Sequence, residues 1–240
     1  MRFGVTLLVI SSVIYIVHYL IFRDLNHIEV YFLSDLAFVP IQVLLVTFLV
    51  DRVLAERERR DRIEKVNMVI GVFYSEVGVR LIKALSACDP EINDIRRELI
   101  VKDSWGDKEF EALAIRLRGY GYRLDRSLLS LPDLKAFVLS RREFMLRLSE
   151  NPNLLEHETF TDLLKAVFHL TEELENRGDF TKLPASDTDH LILDSKRAYG
   201  LLVVEWMAYM RHLKNNYPYL FSLAMRLNPF DPEASAVVRG

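Results

Sequence analysis

Two long apolar runs open the chain. Residues 3–22, FGVTLLVISSVIYIVHYLIF, carry no formal charge when His18 is neutral, and residues 30–50, VYFLSDLAFVPIQVLLVTFLV, carry only Asp35. About 20 helical residues, rising about 1.5 Å each, cover roughly 30 Å, the thickness of a bilayer's hydrocarbon core. The polar link 23–29 joins the runs into a predicted transmembrane hairpin. A cleaved signal peptide is the weaker reading of the first run. Its apolar region is too long, and no A-x-A-like site follows it.

Basic residues beside membrane spans set their orientation. The link holds Arg23 alone, whereas the segment after the second run holds Arg52, Arg57, Arg59, Arg60, Arg62 and Lys65. Both termini are therefore expected in the cytoplasm, with the link outside the cytoplasmic membrane.

The polar residues inside the runs form a pattern. In a hairpin centred near residue 26, positions whose numbers sum to 53 share a depth. His18 and Asp35 do so, as do Ser11 and Gln42. Within each run the polar positions are seven apart and share a face. The expectation is that His18 meets Asp35 and Ser11 meets Gln42, fastening the hairpin. Pairing between protomers, or a polar path sensitive to external pH, are the sharper alternatives. Pro40 is expected to bend the second span.

No proline occurs between Pro40 and Pro90, so the second run can continue as one helix to about Cys88. Residues 55–62, AERERRDR, are charged on every side and read as part of a solvated stalk. Arg52, Arg57, Arg59 and Arg60 could touch anionic headgroups, each worth about 1 kcal/mol at best, though the interleaved acids weaken that. Ile63, Val66, Ile70, Phe73 and Val77 then follow a 3-4-3-4 spacing. That seam is short for a coiled coil, and Val69, Val72 and Val79 widen it, so burial in a bundle is favoured over a dimer seam. Gly71 and Gly78 mark a side where another helix can come close.

The rest reads as helices at about 90–102, 107–117, 131–149, 156–176, 186–215 and 218–227. Breaks fall at DSWGD, GYGY (119–122), NPN (151–153) and Gly178. Segment 199–210, YGLLVVEWMAYM, is apolar nearly all round and is expected to be the central buried helix. The fold class is therefore all-α: a transmembrane hairpin over 1–50, a stalk over 51–65, a cytoplasmic multi-helix bundle over 66–228 and a tail over 229–240.

Composition narrows the chemistry. Half of the 240 residues are hydrophobic, 27% are charged, and the net charge is −3. A disordered chain and a nucleic-acid binder relying on a basic surface are excluded. The single cysteine, Cys88, excludes a disulfide scaffold and CxxC zinc sites. Walker-type, HExxH and GxSxG motifs do not occur. His190 with Asp194, and His169 with Glu172 or Glu173, have same-face spacing, but each pair lacks a third ligand. Asp187 and Asp189 read as helix-capping residues. No metal and no cofactor is expected. Glu205 interrupts the central apolar helix, and Glu76 lies between Tyr74 and Val77; both are candidate buried acids, with an arginine ion pair the simpler explanation.

The reading that follows is a membrane-anchored, non-catalytic interaction or regulatory module. Its partners are the lipid bilayer and either a second copy or another protein, with no nucleic acid. A small oligomeric channel gated by the bundle is the alternative, and a membrane-bound enzyme the second alternative.

Overall fold

The computed structural model describes residues 2–23, 25–152, 154 and 157–238, with only the backbone described at 2–4, 7–8, 22, 25–29, 31 and 61–62. Asp24 of the polar link, Asn153 of the NPN break, Glu156 and positions 239–240 of the tail lie outside the described residues. The regular elements of the described residues are all helical, with no strand among them. The chain divides into two units, Met1–Arg60 and Asp61–Gly240.

The first unit holds α1 (Arg2–Phe22) and the start of α2 (Leu25–Phe73). Arg23 ends α1 in the left-handed region, with φ 50°. Its N–H donates to Tyr19 O at 2.9 Å, the bond of a left-handed C-terminal cap. Helix resumes at Leu25, which corrects the expected link over 23–29. Polarity suggested a loop there, yet Leu25 to Glu29 contains no glycine or proline to break a helix. Pro40 sits inside α2. The apolar side chains of both helices stand open, from Val5, Val9 and Ile14 in α1 to Leu33, Leu44 and Phe48 in α2.

The second unit begins within α2. Asp51 to Arg60, just before it, are exposed, as a helix charged all round requires. Ile63 is also exposed, but Val66, Ile70, Phe73 and Val77 are buried. From Val66 onward the seam is therefore a core face within the unit.

The helical path continues beyond α2 through a π-helical turn (Tyr74–Gly78) into α3 (Val79–Ser86). Tyr74 explains the local geometry. Its hydroxyl donates to Leu202 O at 3.0 Å, and its ring packs edge-on to Trp206 and stacks on Tyr209. That ring also fills the space a Cβ on Gly78 would need.

Next come α4 (Asn93–Leu99), α5 (Asp107–Gly119), α6 (Leu131–Ser140), α7 (Arg142–Ser149), α8 (Glu158–Glu175), a 3-10 turn (Phe180–Lys182), α9 (Ala185–Asn216) and α10 (Pro218–Arg226). Helix α9 is the axis of the unit and packs against α3, α5, α8 and α10, while α6 and α7 lie on α8. Leu202, Val203, Trp206, Met207 and Met210 bury its middle, as the run 199–210 suggested.

Four boundaries differ from expectation. Helix α4 starts at Asn93 because the Asp89 carboxylate accepts the Glu91 N–H at 3.1 Å and holds a turn. The expected helix 131–149 is two, broken at Arg141 (φ −108°, ψ 0°). There Ser140 Oγ donates to Phe137 O at 2.6 Å, a local bond that competes with helix continuation. Ser186 and Asp187 lie inside α9 rather than capping it, and Pro184 precedes the first turn. The tail does not simply trail away. Phe230 is buried, and Asn228 Nδ2 donates to Leu99 O at 2.9 Å.

Candidate functional site

Helices α8 and α9 run antiparallel, as three contacts show: His169 with Asp194, Glu173 with His190, and Arg177 with Asp187. Two i, i+4 pairs, His169/Glu173 on α8 and His190/Asp194 on α9, thereby face each other. His169 Nε2 lies 3.2 Å from Asp194 Oδ2, and His190 Nε2 lies 3.3 Å from the same oxygen. The Asp194 side chain is only 3% exposed, whereas the histidines are 44% and 46% exposed. Oδ2 of Asp194 accepts no hydrogen bond from any described residue. Its other oxygen, Oδ1, stands 3.6 Å from Arg197 Nη1.

Arg177 completes the cluster. It binds Asp187 through two bonds of 2.7 Å and Glu173 Oε2 at 2.6 Å. The Arg177 hydrogen bond is the main reason the Glu173 and Asp187 carboxyls sit below the usual range. Asp187 is thus an ion-pair residue rather than a cap, and Asp189 lies 3.5 Å from Arg126. Chemically, the cluster offers two imidazole nitrogens and a desolvated carboxylate oxygen, all within 4.8 Å of one another.

A second feature is an apolar groove of about 480 Å³ formed by the end of α2, the middle of α9 and α10. Trp206, Tyr209, Tyr217 and Leu223 supply its walls, and Met68 and Tyr219 its exposed rim. Trp206 Nε1 and His212 Nε2 are buried there without a hydrogen-bond partner among the described residues. Burial, the larger effect, holds the His212 imidazole below its ordinary pKa despite the nearby Glu64. Gly71 admits Tyr209 here: a Cβ would lie 2.5 Å from the tyrosine oxygen.

The sequence-derived candidates are spread across both units. Glu205 is buried, but no arginine pairs with it among the described residues. Its charged neighbourhood is felt by Tyr74, whose hydroxyl is pushed well up by burial first and by Glu205 second. Glu76 is not a buried acid: it is exposed and meets Arg141 at 3.1 Å, because the π-helical turn carries it to the surface. Arg52, Arg57, Arg59 and Arg60 are exposed, and Arg52 approaches Glu56 at 3.7 Å. In the first unit His18 is half-buried, and Ser11, Asp35 and Gln42 are exposed.

These features define the class: an all-helical protein of two helical domains. Two family models match the chain. Residues 62–226 match the C-terminal helical domain of the uncharacterized protein MJ1433, and residues 1–54 match the N-terminal helical domain of the same protein. The chain belongs to the MJ1433 family. It is 46% identical over 228 residues to MJ1433 of Methanocaldococcus jannaschii, an alignment covering 95% of this chain and 92% of that one. No solved structure matches.

Proposed function

We propose that the protein is a membrane-anchored, non-catalytic helical module whose larger unit acts by association, with itself or with another protein. The observation that carries this is the exposure of the first unit. The apolar run of α2 stands wholly unburied in a helix long and apolar enough to cross a bilayer, and α1 adds the apolar stretch Val9–Ile21. In water such a surface is costly at about 25 cal/mol per Å², and large exposed apolar surfaces mark membrane or protein contacts. Lipid is the partner that satisfies residues on all sides of these helices at once.

The exposed arginines that follow, Arg52, Arg57, Arg59 and Arg60, support a cytoplasmic side for the second unit under the positive-inside rule. In that unit the groove rim carries Met68 and Tyr219 in the open, a surface suited to association. Alkaline carbonate extraction of membranes tests the anchor. The protein should remain in the pellet; release into the supernatant overturns the reading. Native mass spectrometry of the detergent-solubilised chain tests association, with a monomer free of partners as the adverse result.

A further inference from the structure

The cluster between α8 and α9 carries an inference that sequence spacing alone did not. We propose that His169, His190 and Asp194 form a binding site for a divalent transition metal of the Zn2+ type.

Two imidazoles and one carboxylate are a common ligand set for first-row divalent ions, and Zn2+ takes nitrogen at about 2.0–2.1 Å and carboxylate oxygen at about 2.0–2.2 Å. A tetrahedral ion with such bonds separates neighbouring donor atoms by about 3.3 Å. The separations from Asp194 Oδ2 to the two Nε2 atoms are 3.2 and 3.3 Å. The two half-exposed rings can turn to bring their own nitrogens closer.

Asp194 Oδ2 is desolvated and meets no hydrogen-bond geometry with any described residue, although the two imidazole nitrogens stand 3.2 and 3.3 Å away. A buried carboxylate oxygen left so is costly, and a cation at that point removes the cost. Arg197 addresses the other oxygen, Oδ1, so the charge at Oδ2 is left to the imidazoles when protonated or to an ion that the neutral imidazoles hold with it.

The surrounding charges favour a cation there. Glu173 stands 3.6 Å from His190 Nε2 and 4.0 Å from His169 Nε2, which adds negative potential at the site. Arg177 holds Glu173 by its side chain and thereby keeps it from closing on the ion. The fourth coordination position is left to water, on the side where both histidines are exposed. Bound in this way, the ion ties α8 to the N-terminal part of α9.

The test uses the full chain in detergent, stripped with a chelator. It is titrated with ZnCl2 by calorimetry, and zinc is counted by elemental analysis after gel filtration. About one zinc per chain is expected, together with a higher melting temperature. His169→Gln and His190→Gln, both at half-exposed positions that spare the core, should each weaken binding by about 100-fold or more, beyond the loss typical of an outer-shell change. Co2+ in place of Zn2+ should give visible d–d absorption that both variants lose. Asp194→Asn is the third variant; if it fails to fold, the two histidine variants decide the matter. No retained zinc, or retention unchanged in His169→Gln and His190→Gln, overturns the proposal.

Discussion

Three residues around the π-helical turn show how tightly a local geometry can depend on one missing atom. Tyr74 is buried, its hydroxyl is bound to Leu202 O, and aromatic rings lie on several sides. It has nowhere to go if Gly78 gains a methyl group, because that Cβ overlaps its ring. Gly71 faces a softer obstacle, the outer end of the half-buried Tyr209 side chain. Overpacking a well-filled core costs about 1–3 kcal/mol. Gly78→Ala should therefore fall at the top of that range or above it, and Gly71→Ala at the bottom. Urea unfolding midpoints check the order, and equal losses would show that Tyr74 can move after all. The two glycines were legible in the sequence as places of close approach. What approaches Gly78 was not: a side chain four residues earlier in the same helix is a different neighbour from a second helix.

At the scale of elements, periodicity announced most of the helices because each buries one face against α9 or α8. It could not announce the break at Arg141, where Ser140 competes for a carbonyl in a stretch without glycine or proline. Helical spacing hides the cluster of His169, His190 and Asp194 for a different reason: each i, i+4 pair lies on its own helix, and only the antiparallel match of helices joined over 176–184, with positions summing to about 360, brings the pairs together. That arithmetic alone puts His169 opposite position 191. The same reasoning bears on the first unit. If α1, ending at Phe22, and α2, starting at Leu25, pair as an antiparallel hairpin, positions summing to about 47 match, which would put Ser11 within about 1.5 Å of Asp35 in depth and His18 about 9 Å off. A disulfide needs Cα atoms within about 7 Å. Oxidation should therefore join Ser11→Cys to Asp35→Cys and leave His18→Cys with Asp35→Cys unjoined. The opposite outcome restores the register summing to 53.

Electrostatic ties between elements make their own prediction. Arg211 on α9 binds Asp107 at the start of α5 at 2.7 Å and approaches Glu111 at 3.1 Å. The hydrogen bond from Arg211, followed by that from Asn215, holds the Asp107 carboxyl below its ordinary value. A depressed carboxyl adds stability above its unfolded pKa and loses it as pH falls through the folded one. The wild type should lose this share as pH drops below about 4. Arg211→Gln lacks the share at neutral pH and should show a flatter acid limb. Unfolding midpoints between neutral pH and pH 3 measure the difference; parallel curves would show that the tie is screened by solvent.

For the whole molecule, the proposed membrane anchor turns on which side of the bilayer would hold the second unit. Cys88 looks like a built-in reporter, but the structure disqualifies it. The thiol is buried, its Sγ lies 3.3 Å from Ala84 O, and burial followed by the Asp125 carboxylate raises its pKa. The thiolate is the reactive form, so Cys88 should stay silent towards a polar maleimide from either side. Silence also makes it a clean background for an introduced cysteine. Glu233 is exposed in the C-terminal segment, where its backbone N–H donates to Asp231 Oδ1 at 2.9 Å. If Arg52, Arg57, Arg59 and Arg60 hold the second unit on the inner side, as proposed, intact cells carrying Glu233→Cys should resist a membrane-impermeant maleimide and label fully once permeabilised. Labelling before permeabilisation would invert the arrangement, and the basic segment after α2's apolar run would then need a role other than setting topology.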